Sequence, residues 1–197
     1  MKKILLGLGV VALLSTNVVQ AQNEKGQLAI SVGAGQSLLG SAYSGDTYFN
    51  TSVLPVINGM VDFAVSDVVS MGLGVSYQSI TWDIVDYGYL NSSNVYVTET
   101  FSETISKLNI GVRCNFHYAR GIDNLDMYSG FRVGYTNWSF TTSTSDPDYI
   151  ALEFTLPFAL QLVPFGMRYY FTDMIGIHLE TGIIGPYMIA GGLSFKM

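Results

Sequence analysis

The sequence predicts an all-β fold, an eight-stranded antiparallel up-and-down transmembrane barrel. Three observations carry that prediction. Only 12% of the residues are charged, where soluble globular chains run nearer ~25%. No apolar run reaches the about 20 residues that a membrane-crossing helix needs. Apolar and polar residues also alternate one by one through eight separate segments, the period of a strand with two unlike faces.

The N-terminus reads MKKILLGLGVVALLSTNVVQAQ, two lysines, an apolar stretch and a small-residue site. This is the pattern of a secretory signal peptide over 1–21, cut after Ala21, leaving a barrel domain over 22–197. The apolar stretch, Ile4 to Leu14, is too short to span a bilayer, and no cysteine follows the cut to carry a lipid. Loss of Lys2 and Lys3 leaves seven Lys+Arg against fifteen Asp+Glu, a net charge of −8. Nothing basic is clustered, so no nucleic acid is expected as a partner. The single cysteine, Cys114, has no internal partner and sits on an apolar face, where it acts as a small hydrophobe. No cofactor and no metal site is expected, since no CxxC or His/Cys cluster is present.

The segments follow in order. The first, about 26–38, sets Leu28, Ile30 and Val32 opposite Ala29, Ser31 and Gly33. The second, 53–65, sets Ile57, Val61, Phe63 and Val65 against Asn58, Met60, Asp62 and Ala64. In the third, 68–82, Met71, Leu73, Val75 and Tyr77 oppose Gly72, Gly74, Ser76 and Gln78. The fourth contains KLNIGVRCNFHY, with Leu108, Ile110, Val112, Cys114 and Phe116 against Lys107, Asn109, Gly111, Arg113, Asn115 and His117. The fifth, 127–140, places Phe131, Val133 and Tyr135 opposite Gly130, Arg132 and Gly134. The sixth is predicted to be long, 152–171. The seventh, 174–183, has Ile175, Ile177 and Leu179 facing away from Gly176, His178 and Glu180. The eighth, 187–197, sets Tyr187, Ile189, Leu193 and Phe195 against Met188, Ala190, Gly192, Ser194 and Lys196.

The connections alternate in length. Ser66-Asp67 and Thr172-Asp173 read as tight turns with shared chemistry, VSDVVSMGL and FTDMIGIHL, and 119–126 as a modest one. Stretches 39–52, 83–103 and 141–151 read as long loops, with a short fourth at Gly185-Pro186. Short turns at one rim and long loops at the other suit an outer-membrane barrel, turns and termini periplasmic and loops outside.

The polar faces carry too little charge to keep such a chain dissolved, so they are predicted to line the lumen and the apolar faces to meet lipid. Tyr77, Tyr118, Tyr135, Tyr169, Phe171, Tyr187 and Phe195 are predicted to form aromatic girdles at the lipid interfaces. The inward charges form a predicted network of Asp62, Lys107, Arg113, Arg132, Arg168, His178, Glu180 and Lys196. Buried charge is stable only when paired, and Arg168 is placed beside His178 and diagonal to Glu180. The network reads as a structural plug in preference to a selective pore, because eight strands leave little lumen beyond side chains.

Pro55, Pro157 and Pro164 fall inside predicted strands, where proline removes a ladder hydrogen bond. The facing parity flips between Leu162 and Phe165, which requires a bulge at Val163-Pro164. These prolines are candidates for a lateral gap that would pass an apolar ligand between lumen and membrane. Neither His117 nor His178 lies in a long loop, so neither can act as a base on an outer-leaflet substrate, and no enzyme is expected. Stretches 39–52 and 83–103, rich in Tyr, Asn, Ser and Thr with Asp46, Asp83, Asp86, Glu99 and Glu103, are the candidate surfaces for an extracellular protein or glycan. Their carboxylates lack the spacing of a calcium loop.

The signal peptide, the YFTDMIGIHLETG hairpin, the GGLSFKM ending and the eight amphipathic strands together resemble the small OmpA/OmpX-like ("porin family") outer-membrane barrels of Gram-negative bacteria. The resemblance covers the whole mature chain. It implies residence in the outer membrane among lipid and lipopolysaccharide. It also implies insertion by barrel-assembly machinery reading Gly192, Phe195 and Met197, with Met197 standing where an aromatic residue is usual. The motifs specify architecture and leave activity open, adhesin, structural barrel or solute conduit.

Overall fold

The computed structural model describes residues 23–43, 50–118, 124–150 and 155–197. The expected signal peptide, Asp46 and residues 152–154 of the predicted sixth strand lie outside the described residues. The strands are β1 (Leu28–Gln36), β2 (Asn50–Val53), β3 (Val56–Ser66), β4 (Val69–Leu90), β5 (Tyr96–His117), β6 (Leu125–Ser143), β7 (Phe158–Tyr170), β8 (Ile175–Ile183) and β9 (Ile189–Lys196). A short helix, α1 (Leu38–Tyr43), follows β1.

Every pairing is antiparallel, the sheet order is β2-β4-β3-β1-β9-β8-β7-β6-β5, and β4 pairing with β5 closes it. β2 and β3 are two halves of one barrel strand. Both pair with β4, and they part at Leu54-Pro55, where proline has no N–H to give. Leu54 still donates to the Ser79 carbonyl at 2.9 Å. The wall is therefore the expected closed eight-stranded barrel.

Polarity is inverted relative to a soluble protein. Arg168, Glu180, Asp62, Asn115 and Gln161 are buried, while Leu73, Val112, Ile110, Ile177 and Phe63 are among the most exposed residues. The alternation explains this without exception along β4 from Met71 to Tyr77 and along β5 from Leu108 to Phe116. The two tight turns share chemistry, as expected. Ser66 Oγ accepts from the Val69 N–H at 3.1 Å, and Thr172 Oγ1 accepts from the Ile175 N–H at 2.9 Å.

The structure corrects four expectations. Residues 83–103 are not a loop. β4 and β5 run on as a two-stranded ribbon, paired from Asp83↔Ser102 to Leu90↔Tyr96, because this stretch is rich in the aromatic and β-branched residues that favour strands. The predicted strand over 152–171 is shorter, β7 starting only at Phe158, just after Pro157. Tyr187 belongs to the lumen and Met188 to the outside, because the chain leaves the Ile184–Gly185 turn, both residues at positive φ, one step out of parity with β9. The stretch 39–52 begins with α1 and ends in β2.

Candidate functional site

The lumen is closed by a cross-braced cluster of charges. Arg113 on β5 places Nε 2.9 Å from Asp62 Oδ1 on β3 and Nη2 2.6 Å from Glu180 Oε2 on β8. Arg168 on β7 binds the other Asp62 oxygen and lies 3.3 Å from Asp126 on β6. Tyr128 and Tyr187 donate to the two oxygens of Glu180 at 2.9 and 2.5 Å. The Tyr128 ring lies under the Arg168 guanidinium, 4.7 Å from its centroid. Five strands are thus tied across the bore by groups that are each at most 6% exposed. Glycines leave the room, since a Cβ at Gly166 would collide with the Tyr128 ring and one at Gly74 would press on Arg132.

Of the eight expected network residues, Asp62, Arg113, Arg168 and Glu180 are ion-paired, with partners other than those expected, and Lys107, Arg132, His178 and Lys196 meet carbonyls or aromatic rings. Arg168 does sit opposite His178 in the ladder, but its charge is met across the lumen by Asp62 and by Asp126, and Glu180 belongs to Arg113. A guanidinium projecting into a narrow bore reaches the facing wall more readily than it folds back along its own. His178 Nδ1 meets the Leu193 carbonyl at 3.2 Å. Arg132 donates to the carbonyls of Gly74 and Asn109 at 2.6 and 3.2 Å. Lys196 lies over the Tyr170 ring at 4.8 Å and Lys107 over the Trp138 ring at 5.8 Å. The sequence reading puts Asp126 in a turn and Tyr187 in a girdle and gives Tyr128 no role, whereas the structure brings all three into the cluster; the Asp126-Met127-Tyr128 alternation leading into β6 is the signal that places Asp126 inside.

The network continues to Ser70 on the inward face of β4, a contact that alternation alone does not give. His117 Nδ1 lies 2.6 Å from Asp126 Oδ1, and its Nε2 lies 2.8 Å from Ser70 Oγ. The order is that of a nucleophile, base and orienting carboxylate. Ser70 is 1% exposed, and Asn115 Nδ2 donates to the same oxygen at 3.3 Å. A reacting carbonyl needs room about 3 Å from both nucleophile and donors. At Ser70 that room is filled, so the relay acts as a polar crosslink of β4, β5 and β6.

With a charged, hydrogen-bonded interior and bare apolar side chains outside, the wall has the polarity that only lipid can complement. This is a transmembrane β-barrel. It is the architecture that the resemblance to OmpA/OmpX-like barrels implies. No protein-family model matches the chain, and no curated protein does. Among solved structures it is similar to a de novo designed transmembrane β-barrel (15% identity, TM-score 0.47, 88% of this chain and 98% of that one). It is also similar to the N-terminal β-barrel domain of Pseudomonas aeruginosa OprF (12%, 0.43, 88% and 98%). A third is the Yersinia pestis outer membrane protein Ail in a phospholipid bilayer nanodisc (11%, 0.44, 88% and 100%). Among the described residues no group of His, Cys, Asp and Glu could hold a metal ion.

At the candidate gap, Pro164 lies in the expected bulge, where the β7–β8 register jumps between Leu162↔Ile183 and Phe165↔Thr181. Two side-chain hydrogen bonds brace the chain around the bulge. Ser129 Oγ donates to the Pro164 carbonyl at 2.7 Å, and Thr181 Oγ1 to the Phe165 carbonyl at 3.0 Å. Pro55 parts β2 from β3 on another side of the barrel, and Pro157 lies at the foot of the 155–157 segment leading into β7. Gly192 has a packing role beside its place in the C-terminal signature, because a Cβ there would strike the Val32 carbonyl at the β9–β1 seam. Phe195 faces outward on β9, paired with Ile30, and Met197 exchanges backbone hydrogen bonds with Leu28 at 2.9 Å.

Above the barrel, the β4–β5 ribbon outgrows its neighbours. β6 pairs with β5 only up to Ser102↔Ser143, and β2 with β4 only up to Asn50↔Asp83. A bulge between Ile84 and Tyr87, with Asp86 at φ 59°, bends the ribbon at its base. Phe101 packs on Tyr87 and Tyr149 at ring-centroid distances of 5.3 and 4.8 Å. Tyr87 donates to Asp146 at 2.9 Å, which pushes its phenol pKa up. The Thr144 hydroxyl and then the Ser145 N–H, at 2.8 Å, hold the Glu99 carboxyl below its ordinary range.

A depressed carboxyl stabilises the clasp above its ordinary pKa of about 4.3 and loses that contribution as pH falls through the lower folded value. Hydrogen exchange at Ser145, corrected for intrinsic rate, is therefore expected to hold level from pH 7 to about 5 and to rise below about 4. A Glu99→Gln variant is expected to show the raised exchange at every pH.

Proposed function

We propose that the protein resides in the outer membrane as a closed, non-enzymatic barrel whose β4–β5 arm presents a binding surface outside the cell. The observation that carries this reading is a ribbon that outgrows its neighbouring strands and is held at its base by residues 144–149 alone among the described residues. From Ile84↔Phe101 to Leu90↔Tyr96 no other strand flanks it among the described residues. Beyond the bulge the paired chain from Tyr87 to Leu90 adds roughly 13 Å at ~3.3 Å per residue. Val85, Leu90, Val95 and Tyr96 are exposed on it. Residues 79–106 hold Asp83, Asp86, Glu99 and Glu103 and no Lys or Arg. Free strand edges and unbalanced carboxylates suit a protein partner with a basic or donor-rich face, met partly by strand addition.

Under this reading lipid and lipopolysaccharide surround the belt, the termini face the periplasm, and the assembly machinery reads the C-terminal strand. The charge cluster makes the barrel a non-conductor. Refolded protein in planar bilayers is expected to give no steady channels. Steady conductance steps that change size in an Arg132→Gln variant would contradict the closed lumen.

A further inference from the structure

Above Leu162↔Ile183 the wall is incomplete among the described residues. β8 ends at Ile183, so the β8-facing edge of β7 from Phe158 to Gln161 has no strand beside it, and the low Ile184–Pro186 turn leaves a notch. The notch leads into a cavity of about 140 Å³. On the outside, Leu156, Phe158 and Ile184 are 56%, 59% and 70% exposed, an apolar rim at the mouth of the notch.

The far wall of the cavity is chemically different. Lys107, Asn109, Thr136 and Trp138 line it, from β5 and β6. Lys107 has no carboxylate at ion-pair distance among the described residues, whereas Arg113 and Arg168 each have two. Asn109 is 3% exposed; its Nδ2 donates to Thr136 at 2.8 Å, and its Oδ1 has no donor. The site therefore offers one cation and one unmet acceptor at the end of an apolar entrance.

We propose that this notch binds a phosphate-monoester amphiphile from the outer leaflet, its head on Lys107 and Asn109 and its chain leaving between Phe158 and Ile184. A monoester head in its singly ionised form supplies both things the wall lacks, anionic oxygens for the ammonium and a hydroxyl for Oδ1. The apolar lining near Trp138 and Leu160 takes the first carbons of the chain. The proposal rests on the membrane placement given above.

The test uses a Trp82→Phe protein, so that Trp138 is the only indole, refolded in dodecyl maltoside and titrated with dodecyl phosphate. Trp138 emission is expected to change saturably, with an apparent affinity about tenfold tighter than for dodecylphosphocholine, whose head is a zwitterionic diester. Lys107→Met is expected to abolish that preference and Lys107→Arg to keep it, both variants retaining the heat-modifiable gel shift of a folded barrel. Equal responses to the two amphiphiles, an unchanged titration in Lys107→Met, or the same emission change with inorganic phosphate alone would each overturn the proposal. Should a Lys107 variant fail to fold, the comparison of head groups on the Trp82→Phe protein still decides it. Failure of the membrane reading would be visible separately, as a protein that stays dissolved without any detergent.

Discussion

Replacing Arg113 by methionine is expected to destabilise the barrel by about 3–5 kcal/mol, the range seen when one member of a buried ion pair is removed. Among the described residues Arg113 is the only cation at ion-pair distance from Glu180, while Asp62 keeps Arg168. Methionine fills similar volume, so the loss is electrostatic and not a cavity effect. Tyr128 and Tyr187 still donate to Glu180, which leaves a buried anion with hydrogen bonds and no countercharge. Urea unfolding in lipid vesicles, followed by tryptophan emission and gel shift, measures the change. Adding Glu180→Gln is expected to recover a large part of it, because the stranded charge is then gone. A single Arg113→Met variant as stable as the parent would mean that the cluster does not hold the barrel together.

Excising the arm is expected to remove surface binding while leaving the barrel intact. Asp83 and Ser102 face each other in the ladder, so residues 84–101 can be replaced by Asn-Gly, a two-residue turn suited to a tight hairpin. Nothing in the charge cluster or the lipid-facing belt is touched. Cells displaying the parent protein are expected to bind a basic-faced partner, and cells displaying the short variant to lose that binding altogether. Both proteins should show the same gel shift and the same resistance to protease from the periplasmic side. Undiminished binding by the short variant would remove the arm from the functional account. The clasp residues Tyr87 and Asp146 then become informative, since Asp146→Asn should loosen the arm without deleting it.

The barrel wall was legible because a strand's period is local. Leu108-Asn109-Ile110-Gly111-Val112-Arg113 states its two faces residue by residue, and Ser66-Asp67 and Thr172-Asp173 state the turns. Pro164 with its change of parity announced the bulge for the same reason. What was not legible depends on distance across the bore. No local pattern says that Arg168 meets Asp62, 106 positions away, in preference to Glu180 on the adjoining strand. The arm escaped notice because neither of its faces is consistently apolar, so alternation is silent there. Its propensity was available all the same, in the Thr81–Tyr89 and Tyr96–Phe101 runs of Thr, Trp, Ile, Val, Tyr and Phe. Tyr187 was misplaced because a turn with two consecutive residues at positive φ resets the parity that follows it.

The claim on which everything rests is the direction in which the two faces point. In a protein with Trp82 and Trp138 replaced by phenylalanine, Val112→Trp puts an indole at the middle of an outward-facing row. Refolded into vesicles of brominated phosphatidylcholine, that indole should be strongly quenched, and lowering the pH or adding an aqueous quencher such as iodide should not restore or further reduce its emission. An indole at position 112 that ignores the brominated chains but is reached by iodide would place the apolar row away from lipid and contradict the account.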